Sequence, residues 1–166
     1  MTPLDGLVRS GPDDVNDVIS FLRAVDLTLT GLDDPALRLW IRRDEHGAID
    51  ATTGLELEGE NALIRSVAVS PGTRGQGLGL ALARFSMERA AESGAEHAWL
   101  FSRRSGPFWQ RLGFTLTDRS ELVRVLSTTH QVRAFADSGQ LEREVAWTRP
   151  LQRGDPRARA ESSSAL

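Results

Sequence analysis

The sequence predicts an α/β fold: one domain built on a mixed sheet flanked by helices. Three observations carry that expectation. Apolar spacing switches repeatedly between strand and helix periods, in the order β-α-β-β-β-α-β-α-β-α-β. Three strand-like segments in succession, 36–43, 48–59 and 60–70, are joined by short turns and form a meander. A glycine-rich turn, "TRGQGLG" at 73–79, then leads from the third strand into a helix.

The elements follow in order. "LVRS" at 7–10 is a short strand. Val15, Val18, Ile19, Leu22 and Val25 recur at helical spacing, with Ser10, Pro12, Asp13 and Asp14 supplying cap and dipole chemistry at the start. "GLDD" at 31–34 is a loop, and "DEHG" at 44–47 turns the chain between the first two strands of the meander. In the third strand, alternation places Leu63, Arg65, Val67 and Val69 on one face. After the glycine turn, Leu78, Leu82 and Phe85 share a helix face with Ala81 beside them, and Gly94 ends that helix. "HAWLF" at 97–101 is a continuous apolar strand of the buried kind. Pro107 and Gly113 bracket a short helix in "SGPFWQRLG". "FTL" at 114–116 resumes a strand, 121–137 reads as one helix, and "LEREVAWT" at 141–148 as a last strand. The domain is expected to span 1–150, with the Arg-, Ser- and Ala-rich stretch 151–166 a disordered tail.

Composition narrows the chemistry. The 166 residues are 40% hydrophobic and 26% charged, enough apolar material for one core. A net charge of −3 argues against a general nucleic-acid binder. No 18-residue apolar run is present and the first residues lack the apolar core of a signal peptide, so no membrane partner and a cytoplasmic location are expected. There is no Cys, and His46, His97 and His130 are dispersed, so no metal is expected. All 20 basic residues are Arg, and Tyr is absent. Any reaction must therefore proceed without a Lys or Cys nucleophile and without a Tyr acid.

A strand, a glycine turn and a helix in that order present free backbone N–H groups and the positive end of a helix dipole to an anion. The pattern "RGQGLG" lacks the Gly-Lys-Ser/Thr of a P-loop, and its glycines are spaced differently from the dinucleotide-binding fingerprint. "SVAVSPGTRGQGLG" instead resembles the acetyl-CoA signature of the GCN5-related N-acetyltransferase (GNAT) superfamily, with Arg74-Gly75-Gln76-Gly77-Leu78-Gly79 as its core. "PFWQRLGF" at 107–114 resembles the second signature of that superfamily, a short helix ending in Leu-Gly-Phe. The resemblance covers residues 4 to 150. Within the superfamily the chain is most similar to the branch of arsenic-resistance-type acetyltransferases and N-acetylglutamate synthase, through Leu63-Ile64-Arg65-Ser66 in the central strand. It departs from that branch at Ser102-Arg103-Arg104-Ser105, where a Thr-rich stretch is usual, and at Ser138-Gly139, where Cys-Pro is common.

The resemblance implies a mixed, mostly antiparallel central sheet flanked by helices, with a splayed strand pair that binds acetyl-CoA. Backbone groups of Val67, Ala68 and Val69 would pair with the pantetheine arm. Arg74, Gly75, Gln76, Gly77, Leu78, Gly79 and Leu80 would hold the pyrophosphate. A backbone N–H near Val69 would stabilise negative charge on the carbonyl oxygen under attack. Family members often protonate the leaving thiolate with a Tyr in the short helix; here that position is Trp109, a hydrogen-bond donor but no acid. Ser102, Ser105 or water are the alternatives.

For the general base, Glu56 in "GLELEG" is the first choice, with Glu58, a water chain and His130 as alternatives. Arg65, on a central strand, is either paired with a structural partner such as Glu56 or clamps a substrate carboxylate. Arg104, with Arg103 beside it, is expected near the thioester end. These residues point to direct acetyl transfer, without an acyl-enzyme, to a small amine that carries an acidic group, with a homodimer as a possible assembly. The rival readings are a catalytically weak CoA-binding regulatory module and a protein N-acetyltransferase.

Overall fold

A computed structural model describes residues 3–152; most of the expected tail, from 153 onward, lies outside the described residues. The strands are β1 (Val8–Arg9), β2 (Arg38–Arg43), β3 (Ile49–Glu58), β4 (Asn61–Val69), β5 (His97–Phe101), β6 (Thr115–Thr117) and β7 (Ala146–Pro150). The helices are α1 (Val15–Ala24), α2 (Leu78–Glu92), α3 (Gly106–Arg111), α4 (Arg119–Val125) and α5 (His130–Ser138). The strands form one sheet in the order β1-β2-β3-β4-β5-β7-β6. Every neighbouring pair is antiparallel except β4 and β5, which are parallel and joined through α2.

Two layers of helix cover the sheet. On one face α2 and α3 bury Ala83, Met87, Ala90, Trp109 and Leu112 against Leu55, Ile64, Leu100 and Trp147. On the other, α1 sets Val18 and Leu22 on Leu39 and Ile41, while Leu122, Leu126 and Val132 of the α4–α5 region cover Leu63 and Trp99. Neighbouring strand residues such as Ala146 and Trp147 go to opposite layers, as the pleat requires.

Two expectations need correction here. The single helix over 121–137 is two helices, because residues 126–129 break the pattern: Leu126 leaves helical geometry (φ −129°) and the Thr129 hydroxyl donates back to its carbonyl at 2.7 Å. The last strand starts later than expected, since Gln140–Arg143 coil into a 3₁₀ turn and pairing begins at Ala146.

The shared face of Leu63, Arg65, Val67 and Val69 is a third correction. The β3–β4 register shifts between Thr52, which faces Ala68, and Gly54, which faces Arg65. Two residues of β4, Ser66 and Val67, therefore oppose Thr53, and Ser66 takes a positive φ of 59°. The bulge reverses the alternation. Leu63 packs with α4 and α5, whereas Val67 and Val69 turn to the α2 side. Gly54 permits the crossing: a Cβ there would lie 2.9 Å from Leu39 Cδ1, 3.1 Å from the Arg38 carbonyl and 3.3 Å from the Arg65 carbonyl. Gly54→Ala should destabilise the protein by about 1–3 kcal/mol, the usual cost of overpacking, measured as a lower denaturant midpoint at unchanged slope. A midpoint equal to wild type would show that the strands yield at this point.

Candidate active site

A cleft opens where β4 leaves β5. The two strands pair only at Asn61–His97, Ala62–Ala98 and Leu63–Trp99. Beyond Leu63 that edge of β4 has no strand neighbour, and Val67, Ala68 and Val69 line the opening. The backbone there faces the gap. Ser70 N–H donates to the Asp50 carbonyl at 2.8 Å. Successive residues of an antiparallel ladder alternate in direction, so Val69 turns its N–H and C=O away from β3. Its carbonyl accepts Arg74 Nε–H at 3.3 Å, and its N–H has no partner among the described residues.

The glycine turn forms the next wall. Gly75 (φ 87°) and Gly77 (φ 75°) both lie in the left-handed region, which a side chain disfavours. A Cβ on either would meet no described atom within 4 Å, so the space above them is open. Helix α2 makes its first internal bond from Ala81 N–H to the Gly77 carbonyl, 3.2 Å. The N–H groups of residues 75 to 80 donate to no described group. They are the orphan donors of a helix start, reinforced by the helix dipole.

The cleft measures ≈ 1250 Å³, above the roughly 300–1,000 Å³ of an ordinary small-molecule pocket, and so has room for a large cofactor beside a second molecule. Arg74, Arg84, Arg103, Arg104 and Arg111 line it, against the two acids Asp26 and Glu144. On a chain of net charge −3 this is a local concentration of positive charge. Open glycine backbone, free N–H donors and guanidiniums fit the pyrophosphate and 3′-phosphate of acetyl-CoA. Of the residues expected at the cofactor, Val67, Ala68, Val69, Arg74, Gly75, Gly77, Leu78, Gly79 and Leu80 line the cleft, and Gln76 does not.

The residues expected to act on the acceptor are distributed differently. Glu56 and Arg65 do not line the cleft. They form a buried ion pair, Arg65 Nη1 to Glu56 Oε2 at 3.2 Å, with side chains 0% and 4% exposed. Arg65 also donates to Ser66 Oγ at 3.3 Å and to the Thr28 carbonyl at 3.4 Å. Burial pushes the Arg65 guanidinium below its ordinary value, and the Glu56 charge partly restores it. Glu56 accepts the backbone N–H of His130 at 2.7 Å and of Gln131 at 3.3 Å, which caps the start of α5. As base and clamp the pair is therefore a correction: every direction in which it could meet a substrate is taken by protein. Glu58 accepts Thr128 N–H at 3.4 Å on the same approach to α5. His130 sits 2.9 Å from Asp34 and does not line the cleft.

Trp109 is corrected too. It is 7% exposed and packs edge-on to Phe108 and Phe114, with centroids at 4.9 and 5.4 Å. Its neighbour Phe108 lines the cleft in its place. Ser102, Ser105, Arg103 and Arg104 do line the cleft. Arg103 reaches Glu144 at 3.4 Å, while Arg104 makes no ion pair with a described residue.

Sequence reading missed several lining residues. Arg84 was legible in principle, being four residues after Leu80 on the same helix face; Arg111 follows Phe108 by three in the same way. Gln131, Phe135 and Glu144 carry no local signal, because α5 and the segment before β7 reach the cleft only through the fold.

A family model described as the Acetyltransferase (GNAT) family matches residues 13–114. The chain belongs to this family. It is, with it, an acetyl-CoA-dependent N-acetyltransferase. Solved structures share the GNAT fold. A GNAT-family acetyltransferase from Staphylococcus aureus Mu50 superposes with a TM-score of 0.70 at 15% identity, over 88% of this chain and 98% of that one. Rv2747 from Mycobacterium tuberculosis, solved with CoA, gives 0.67 at 18% identity, over 88% and 99%. N-acetylglutamate synthase from Neisseria gonorrhoeae, solved with coenzyme A and N-acetyl-glutamate, gives 0.66 at 16% identity, over 89% of this chain and 35% of that one. At these identities the likeness is one of fold. A comparison with curated proteins found no match. Among the described residues no helix is long and apolar enough to cross a membrane.

Removing one member of the buried pair should be expensive. Arg65→Ala strands the Glu56 carboxylate and should cost about 3–5 kcal/mol of unfolding free energy, read by chemical denaturation. Loss of less than 1 kcal/mol would show that Glu56 finds water or another donor.

Proposed function

We propose that this GNAT enzyme acetylates the amine of a small carboxylate-bearing molecule, an amino acid or an analogue, in the cytoplasm. The observation that carries the reading is the cleft itself: the free edge of β4 runs between a phosphate cradle at the start of α2 and a cationic loop at Arg103 and Arg104. Val67, Ala68 and Val69 would meet the pantetheine arm with their backbone. Residues 74 to 80, with Arg84 and Arg111, would neutralise the phosphates. Bound acetyl-CoA supplies an acetyl group already activated as a thioester.

The protein's own part is positioning and electrostatics. The Val69 N–H faces the gap and would stabilise negative charge on the carbonyl oxygen as the amine attacks. Ser102 and Ser105 are the hydroxyls that line the cleft near the end of β5. No Tyr or Cys exists to act as acid or nucleophile, so the amine attacks directly. Arg104 is the carboxylate partner in this reading, since no described acid neutralises it. The N-acetylglutamate synthase that shares the fold was solved with an acetylated amino acid, which supports an acceptor of this class.

Two measurements test the proposal. Acetyl-CoA and CoA at 100 times Kd should each add about 2.7 kcal/mol of stability, a rise in Tm of a few degrees; no shift at millimolar ligand would overturn the cofactor site. Acetyl transfer is then followed by thiol release over a panel of amino acids. The enzyme contributes no background because it contains no Cys. Arg104→Ala should raise KM for a carboxylate-bearing acceptor about 10-fold or more, as loss of a charged hydrogen bond does, with KM for acetyl-CoA unchanged. Equal effects on both would remove Arg104 from the acceptor site. Product from carboxylate-free amines at the same efficiency as from amino acids would overturn the acceptor class.

A further inference from the structure

The end of the cleft away from the glycine turn is built from parts that the cofactor does not require. Phe101 of β5 and Phe135 of α5 pack together there, with ring centroids 5.3 Å apart. Val25 and Leu27, in the turn after α1, also line the cleft, and Leu27 is among the few large apolar side chains left exposed, at 37%. Two largely buried polar side chains, Glu144 and Gln131, also line the cleft.

The first is Glu144, a lining residue whose side chain is only 6% exposed. Both its contacts fall on one oxygen: Oε1 accepts Gln140 Nε2–H at 2.9 Å and lies 3.4 Å from Arg103 Nε. Oε2 has no hydrogen bond with a described residue and is not fully buried. The second is Gln131, 8% exposed and also lining. Its Nε2 donates to Thr28 Oγ1 at 3.5 Å, and its Oε1 is a buried acceptor with no partner. A buried acceptor without a donor, as Gln131 Oε1 is, is costly and uncommon. The partner it lacks is a donor, and a cationic donor would also satisfy the open oxygen of the Glu144 carboxylate.

We propose that Glu144 Oε2 and Gln131 Oε1 form the seat of the acceptor's ammonium group, and that the acceptor is an α-amino acid with an apolar side chain. The inference rests on the amine-acetyltransferase reading above and names the substrate class of that site. Three ammonium hydrogens match a carboxylate oxygen and an amide oxygen with one to spare. Arg104, which no described acid neutralises, meets the α-carboxylate beside the ammonium, and Arg103, 46% exposed and held by a single long contact to Glu144, adds positive charge next to it. A paired acid and guanidinium complement a zwitterion. Phe101, Phe135, Val25 and Leu27 then receive the side chain and disfavour a charged one.

The test measures binding to full-length protein saturated with CoA, so that no turnover is needed. The probes are L-leucine, its deaminated counterpart 4-methylpentanoate and its decarboxylated counterpart 3-methylbutylamine. Wild type should bind L-leucine at least about 10-fold more tightly than either counterpart, the worth of one charged hydrogen bond. Glu144→Gln, which keeps Oε1 as an acceptor for Gln140, should reduce the preference for leucine over 4-methylpentanoate to within about twofold. Its affinity for CoA should be unchanged. Gln131→Met should weaken leucine and leave 4-methylpentanoate unaffected, and it carries the test if Glu144→Gln fails to bind CoA. A Glu144→Gln protein that discriminates as wild type does would overturn the proposal. So would a wild type that binds CoA but shows no preference for leucine, and that result would leave the cofactor site standing. Absence of CoA binding by wild type would instead overturn the underlying reading, and this inference with it.

Discussion

The parting of β4 from β5 after Leu63 is the constraint on which the rest depends. A strand in mid-sheet normally satisfies its backbone groups on both sides; here one side has no paired strand beyond Leu63. Each such group would cost about 1–3 kcal/mol if buried without a partner, so the fold keeps the gap open. An extended arm entering the gap can bond to the free edge as another strand would. The bulge at Ser66 sits within this stretch. By reversing the alternation it sends Val67 and Val69 toward α2, so the strand's last residues and the phosphate cradle belong to one surface.

The buried pair of Glu56 and Arg65 supports the opposite wall. Glu56 takes two N–H groups from the start of α5, and Arg65 reaches the Thr28 carbonyl in the turn after α1. Two strands, one helix and one turn are thereby tied at a point just beneath the cleft. Ion pairs of this kind do not by themselves make a protein more stable than well-packed apolar residues would. What this one does is geometric. It fixes where Gln131 and Phe135 stand relative to β4, and so the shape of the space offered to a second molecule.

Much of the architecture was legible in the sequence because it depends on local pattern. The strand meander, the glycine turn and the helix after it appear as periodicity and punctuation, and two short motifs set the expectation for the cofactor end. What escaped was long-range or depended on register. A one-residue bulge cannot be seen in "LIRSVAV", yet it reverses every face after it. Glu56 has the residue type of a base, but its neighbours at His130 and Gln131 are more than seventy positions away in the chain. Trp109 occupies a position associated with chemistry, and its size and lack of an acidic proton place it in the core instead. Glu144 lies in a stretch with no clean periodicity, and only the 3₁₀ turn before β7 brings it to the cleft.

The free edge of β4 and the start of α2 together offer the surface on which CoA would bind. Amide hydrogen exchange resolved to single residues, with and without CoA, reads it directly. The N–H groups of Val69 and of residues 75 to 80 have no described partner and should exchange rapidly in the free protein. Saturating CoA should slow these amides specifically, while the paired interior of β3 stays as it was. CoA that binds and protects a different surface, leaving residues 67 to 80 unchanged, would contradict the account.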